Sequence, residues 1–193
     1  MSAWEGSAHQ EAAEREAREK ARERETLPRL PEVVTLEAAE RKVLAGRVSW
    51  DRYFADLAEA VSKRGTCDRK KVGAVLVVGK RIVATGYNGA LAGLPHCDEV
   101  GHDLVDTLGP DGVARPNCVR TVHAEANAVA QAARAGVALE GATAYVNTYP
   151  CWPCFRLLVS AGIARVVYTD AYRPDERVQA SAKRLGIAIE RLA

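Results

Sequence analysis

The chain has 193 residues, 48% of them hydrophobic and 27% charged, with a formal net charge of +2. That length suits one well-buried domain with an appendage and is short for two, and the charge is too small for composition alone to argue for a nucleic-acid partner. No stretch is apolar enough for a membrane span and the first residues carry no apolar run like a signal peptide, so a soluble, cytoplasmic protein is expected.

Residues 1–25 are dominated by Glu, Ala, Arg and Lys. Pairs such as Glu11 with Arg15, Glu14 with Arg18 and Glu16 with Lys20 have the favourable i,i+4 order, each contributing roughly 0.2–0.5 kcal/mol. No apolar stripe offers an interface, so the expectation is a solvated helical arm ended by Pro28 and Pro31. Residues 1–31 then form an arm and linker, and 32–193 the domain. Leu36, Ala39, Val43 and Leu44 share one face of a predicted helix stopped by Gly46. Ser49 is a good N-cap for the next helix, which places Trp50, Phe54, Leu57, Ala58 and Val61 on one stripe suited to a sheet. Residues 72–78 read as a buried strand, 79–81 as a tight turn and 82–87 as its antiparallel partner.

Residues 88–120 look irregular and are rich in Gly, Pro, Asp and His; a segment of that length in a compact domain usually carries function or is disordered. An Ala-rich helix at 124–135, closed by Gly136, follows. Then come a strand at 142–147, a turn into a helix ending near 161, a strand at 165–168, a helix at 174–185 and a strand at 187–190. Helices between strands imply parallel crossovers, so the last two strands should be parallel while the first hairpin is antiparallel. The predicted fold is α/β, a three-layer αβα sandwich with a five-stranded mixed sheet.

Two short runs concentrate the chemistry: His123-Ala-Glu125 and Pro150-Cys-Trp-Pro-Cys154. One imidazole and two thiolates make three zinc ligands, and zinc with three protein ligands keeps a position open for water, whereas structural zinc is closed by four. Glu125 is left free to move protons. Helix N-termini at both runs favour the ionised thiolates. A lone Cys-x-x-Cys also fits a redox pair or half of a zinc ribbon. Joined to His-x-Glu and preceded by Pro, it matches the signature of zinc nucleobase deaminases. Five cysteines, two of them in a metal pattern, suit a reducing compartment better than a disulfide framework.

On segments 62–75, 86–89, 93–97, 118–128 and 150–154, the sequence resembles the deoxycytidylate (dCMP) deaminases of the cytidine deaminase superfamily. The resemblance covers roughly residues 48–190 and leaves out the charged arm. It implies a cytidine deaminase-like fold and zinc-dependent hydrolysis of dCMP to dUMP and ammonia, supplying dUMP for dTMP synthesis. His123, Cys151 and Cys154 would bind the catalytic zinc, and Glu125 would be the general acid and base. Asn88 would contact the nucleotide. Gly86, Tyr87, Asn88 and Gly89 would belong to an allosteric site where dCTP with Mg2+ activates and dTTP inhibits. Leu91 departs from the pattern, which usually has Pro there.

Tyr149 would offer its backbone carbonyl to the cytosine amino group, Asn127 would either touch substrate or brace a loop, and Tyr172 with Arg173 would approach the phosphate. The basic cluster Lys63, Arg64, Arg69, Lys70 and Lys71 is either a phosphate attractor or a solvated turn. Some family members carry a second, structural zinc, for which Cys67, Cys97, His102 and Cys118, with His96 nearby, give the favoured set; three unlinked thiols are the alternative. The family commonly forms hexamers, so a homo-oligomer is expected, with nucleotides as small-molecule partners and no membrane or nucleic-acid partner. The other readings are the same chemistry on a 5-substituted dCMP or a tRNA base, and a silent metal-binding assembly module.

Overall fold

A computed structural model of the chain describes residues 46–109 and 112–192. The predicted arm, its linker and the helix predicted from Thr35 lie outside the described residues. In chain order the elements are α1 (Trp50–Ser62), β1 (Gly73–Val78), β2 (Arg81–Tyr87), α2 (Cys97–Val100), β3 (Leu104–Leu108), β4 (Ala114–Cys118), α3 (Ala124–Arg134), β5 (Thr143–Thr148), α4 (Trp152–Ser160), β6 (Arg165–Asp170), α5 (Glu176–Leu185) and β7 (Ala188–Arg191).

Five strands form one mixed sheet in the order β2-β1-β5-β6-β7. β1 runs antiparallel to both β2 and β5, and β5, β6 and β7 are parallel, as the helices between them require. One face carries α1: Phe54 and Ala58 pack with Val75, Val77, Tyr145 and Val167. The opposite face carries α3 and α4, with Ala124, Ala128, Ala132 and Leu158 against Ala74, Leu76, Val146 and Val166. On that same face, towards the edge, α5 seats Val178 and Ala182 with Phe155 and Tyr149. Because both faces are covered, β1 is buried almost throughout and reads as a continuous apolar run.

The segment 88–120 differs from the irregular stretch expected. It holds the short helix α2 and a separate two-stranded sheet, β3 paired antiparallel with β4. Every residue of β3 is exposed, and so is β4 up to Cys118. Without a buried face there is no alternation of apolar residues to read, and Pro116 argues against a strand locally.

Two contacts fix the frame. The Asp51 carboxylate of α1 receives a fork from Arg165, Nη1 to Oδ1 at 2.7 Å and Nη2 to Oδ2 at 2.9 Å, and the Tyr145 hydroxyl donates to Oδ1 at 2.7 Å. The Arg165 hydrogen bonds, helped by Tyr145 and opposed by burial, hold the Asp51 carboxyl down to about 2. On the other face Gly86 of β2 lies so close to α3 that a Cβ there would sit 2.2 Å from the Ala124 carbonyl oxygen and 2.4 Å from the Ala128 nitrogen.

Each contact makes a prediction. A carboxyl held below its ordinary range contributes stability above its unfolded pKa and loses it as pH falls through the folded one. Asp51→Asn should therefore cost about 1 kcal/mol near neutral pH, allowing for solvent screening of a partly exposed pair. The gap from wild type should close between the unperturbed value of 3.8 and about 2, as read by denaturant midpoints across pH. Gly86→Ala should destabilise by about 1–3 kcal/mol through overpacking and lower activity as well, since α3 must move. Unchanged stability would show that α3 yields freely.

Candidate functional site

Two helices begin at the same place. His123 is the N-cap of α3 and Cys151 the N-cap of α4, and neither side chain caps its own helix. They turn towards each other instead. His123 Nδ1 lies 3.4 Å from Cys151 Sγ and 3.4 Å from Cys154 Sγ. One ring nitrogen offers a single lone pair or a single proton, so two sulfurs cannot both be satisfied by it as hydrogen-bond partners. The separation does suit a shared metal: zinc bonded to nitrogen at about 2.0–2.1 Å and sulfur at about 2.3 Å in a tetrahedron sets nitrogen and sulfur about 3.5 Å apart. The three donor atoms thus fit a zinc ion.

Glu125, the second residue of α3, is only 2% exposed. Burial pushes its carboxyl up, and the Cys151 charge adds to this, with His123 opposing. Cys151 is pulled down to about 4, first by the Cys154 thiol and then by His123, while Cys154 is raised because it keeps the proton the pair shares. His123 is raised to about 9, chiefly by its bond to Cys151. Without a cation the pair of sulfurs holds one charge; a dication in the cradle would let both ionise.

These groups open on a cavity of about 300 Å³ lined by His123, Ala124, Glu125, Thr148, Tyr149 and Cys151 on one side, with Arg69, Lys70, Tyr172 and Arg173 among the other lining residues. Lys70 pairs with Asp170 and stands 4.4 Å over the Tyr172 ring, and Arg173 lies 5.0 Å from that ring. Of the expected basic cluster, Arg69 and Lys70 line the cavity; Lys63, Arg64 and Lys71 do not.

Asn88 lines the cavity, but its side chain already braces the loop before β1: Oδ1 accepts from the Val72 N–H at 2.8 Å and Nδ2 donates to the Lys70 carbonyl at 2.8 Å. Asn127 is not a lining residue. It takes the bracing option, with Nδ2 donating to the Tyr87 carbonyl at 2.8 Å. The Tyr149 backbone N–H is spent on the Asp170 carbonyl and its ring packs at 5.0 Å, edge to face, on Tyr168. Gly86, Tyr87 and Gly89 stay outside the cavity lining; Gly86 is demanded by helix packing and Gly89 bridges to Val122.

A second cluster forms the neighbouring wall. Donor atoms of Cys97, His102 and Cys118 lie within 4.8 Å of one another, and those of Cys67, Asp68 and His102 do likewise. Cys97 Sγ is 3.8 Å from Cys118 Sγ. Asp68 Oδ1 holds His102 Nε2 at 2.8 Å, which leaves the buried Nδ1 without a well-formed hydrogen bond among the described residues, though the ring still acts on the Cys118 thiol. A carboxylate on one ring nitrogen with the other facing sulfurs is how a metal-binding histidine is commonly oriented. Burial opposes ionisation of Cys118, yet His102 and the backbone at Asp103 and Arg120 bring it down to about 6. His96 is engaged elsewhere, its Nδ1 3.0 Å from Thr66 Oγ1.

Sequence reasoning missed Asn117 and Thr148, both lining the cavity. Asn117 sits on the unforeseen hairpin. Thr148 carried one readable signal, a hydroxyl on the strand face otherwise occupied by Ala144 and Val146. No helix among the described residues is long and apolar enough to cross a membrane.

An open three-donor metal cradle beside a buried carboxylate, above a mixed sheet, puts the protein in the class of metal-dependent hydrolytic deaminases. The chain belongs to the cytidine and deoxycytidylate deaminase family: the model for its zinc-binding region matches residues 48–170. It is 37% identical over 146 residues to ComE operon protein 2 of Bacillus subtilis, covering 76% of this chain and 72% of that protein. It is 43% identical over 125 residues to the deoxycytidylate deaminase of Mycobacterium phage D29, covering 63% and 95%. Among solved structures, dCMP deaminase from the cyanophage S-TIM5 in complex with dCMP and dUMP aligns with a TM-score of 0.59 and 27% identity, over 73% of this chain and 95% of that one.

Proposed function

We propose that the protein is a zinc-dependent dCMP deaminase, converting dCMP and water to dUMP and ammonia. The observation that carries this is Glu125, buried beside the His123, Cys151 and Cys154 cradle in a cavity with Arg69, Lys70 and Arg173 in its lining. The lining cations suit a nucleoside monophosphate better than a free nucleoside, and the relatives named deoxycytidylate deaminase point the same way.

His123, Cys151 and Cys154 would hold the zinc, which when bound supplies a water acidified to a pKa of about 7. Glu125 takes a proton from the attacking water and delivers it to N3 of the cytosine, then takes the second proton from the hydroxyl now on C4 and passes it to the amino group, which leaves as ammonia. Its buried position keeps these transfers from bulk solvent. The Tyr149 carbonyl and Asn88 border the base and sugar, and Tyr172 with Arg173 border the phosphate. The dUMP so formed would serve dTMP synthesis in the cytoplasm.

The reading extends to a structural zinc held by Cys67, Cys97, His102 and Cys118, supported by the His102 Nδ1 that faces the sulfurs without a well-formed hydrogen bond. It extends also to control by dCTP with Mg2+ and by dTTP through residues 86–89 in a homohexamer, supported by the contact of Gly86 with the helix that bears Glu125. Residues 1–31 would form an appendage to the domain.

Glu125→Gln should retain its metal and lower kcat on dCMP at least about a hundredfold; unchanged turnover would sink the mechanism. A panel of dCMP, 5-substituted dCMP, cytidine and RNA, each with and without dCTP and dTTP, should single out dCMP and show opposite responses to the two triphosphates. Metal analysis should find about two zinc ions per chain, and Cys118→Ser about one. A single zinc in the wild type would remove the structural site.

A further inference from the structure

β5 alternates its side chains between two layers. Tyr145 and Asn147 face α1, while Ala144, Val146 and Thr148 face α3. Ala144 and Val146 pack beneath the helix. Thr148 comes one step later, at the carboxyl end of the strand, where α3 begins and the catalytic cavity opens. Thr148 is among the residues that line that cavity, with Glu125, His123 and Cys151.

Thr148 is 7% exposed, and its Oγ1 has no hydrogen-bond partner among the described residues. Its polar neighbours are occupied. Asn88 spends its amide on the Val72 and Lys70 backbone, Asn147 holds the Gly73 N–H and donates to the Lys71 carbonyl, and Thr169 donates to the Asn147 carbonyl. Valine has the shape of threonine and suits a strand equally well, without a buried hydroxyl to satisfy. A hydroxyl kept in a protein wall and unused by the protein is explained by a partner that arrives with a ligand.

We propose that Thr148 is a substrate-contacting residue whose hydroxyl hydrogen-bonds a polar ring atom of the bound pyrimidine. This rests on the reading of the cavity as a cytosine nucleotide site. The phosphate is drawn to Arg69, Lys70 and Arg173, and the amino-bearing carbon must face Glu125, so the wall at Thr148 meets the base. A hydroxyl rotates and can donate or accept, which lets it follow the ring as cytosine becomes uracil.

The test compares zinc-loaded full-length wild type, Thr148→Val and Thr148→Ser. Thr148→Val should lower kcat/KM for dCMP about tenfold and shrink the rise in Tm that saturating dUMP produces. Its ligand-free Tm should be unchanged or higher, because a hydroxyl with no protein partner is lost. Thr148→Ser should stay within about threefold of wild type. Thr148→Val equal to wild type in both kcat/KM and the dUMP shift overturns the proposal. So does a ligand-free Tm that falls along with activity, since that marks a structural role. Wild type inactive on dCMP but active on another cytosine compound contradicts the substrate reading alone, and the Thr148→Val comparison is then decided on that compound. Wild type inert to every cytosine compound overturns both.

Discussion

The site depends on how closely α3 can lie on the sheet. Gly86 has no Cβ, and the helix presents Ala124, Ala128 and Ala132, so backbone meets backbone where larger side chains would hold the layers apart. Polar side chains then pin the register, Asn127 to the Tyr87 carbonyl and Gln131 to the Thr85 N–H. With α3 so placed, its first residues project past the strand ends and His123 meets the start of α4. The carboxyl end of β5 feeds the second junction directly, from Thr148 through Pro150 to Cys151. Ligand sites in open α/β sheets commonly lie at the carboxyl ends of strands, and this one obeys that geometry.

Electrostatics follow from the same placement. Two helix N-termini favour negative charge between them, which suits sulfurs that must ionise to bind a cation. Glu125 is buried within the same ring of groups, and desolvation raises its carboxyl. A carboxyl poised to take up and release protons needs that kind of surrounding. Farther out, Arg69, Lys70 and Arg173 gather positive charge at the cavity although the chain as a whole carries only +2. That concentration of charge is a local arrangement which the net charge does not reveal.

Most of the fold was legible because its elements bury a face. Val75, Val77, Ala74 and Leu76 sit inside, so β1 reads as a strand; Phe54 and Ala58 recur at helical spacing, so α1 reads as a helix. The hairpin was illegible for the converse reason: its residues are exposed and carry no periodic burial. At the site, His123, Glu125, Cys151 and Cys154 were legible because a spacing of two and of three residues at helix starts has few uses besides ligation. Asn88 was harder. A sequence names an amide but not its partners, and this one spends both ends on backbone groups near Val72. Thr148 has no motif around it and becomes visible only when its surroundings show a hydroxyl left without a partner.

The central claim is an ion gripped from three sides with its fourth side turned to Glu125. Anomalous diffraction at the zinc edge, on crystals of the zinc-loaded protein, tests it most directly. The account predicts a peak bonded to His123 Nδ1 and the two sulfurs of Cys151 and Cys154, with a solvent oxygen in the fourth position within hydrogen-bond reach of the Glu125 carboxylate. A fourth protein side chain closing that ion, or a Glu125 carboxylate turned away from it, would contradict the account.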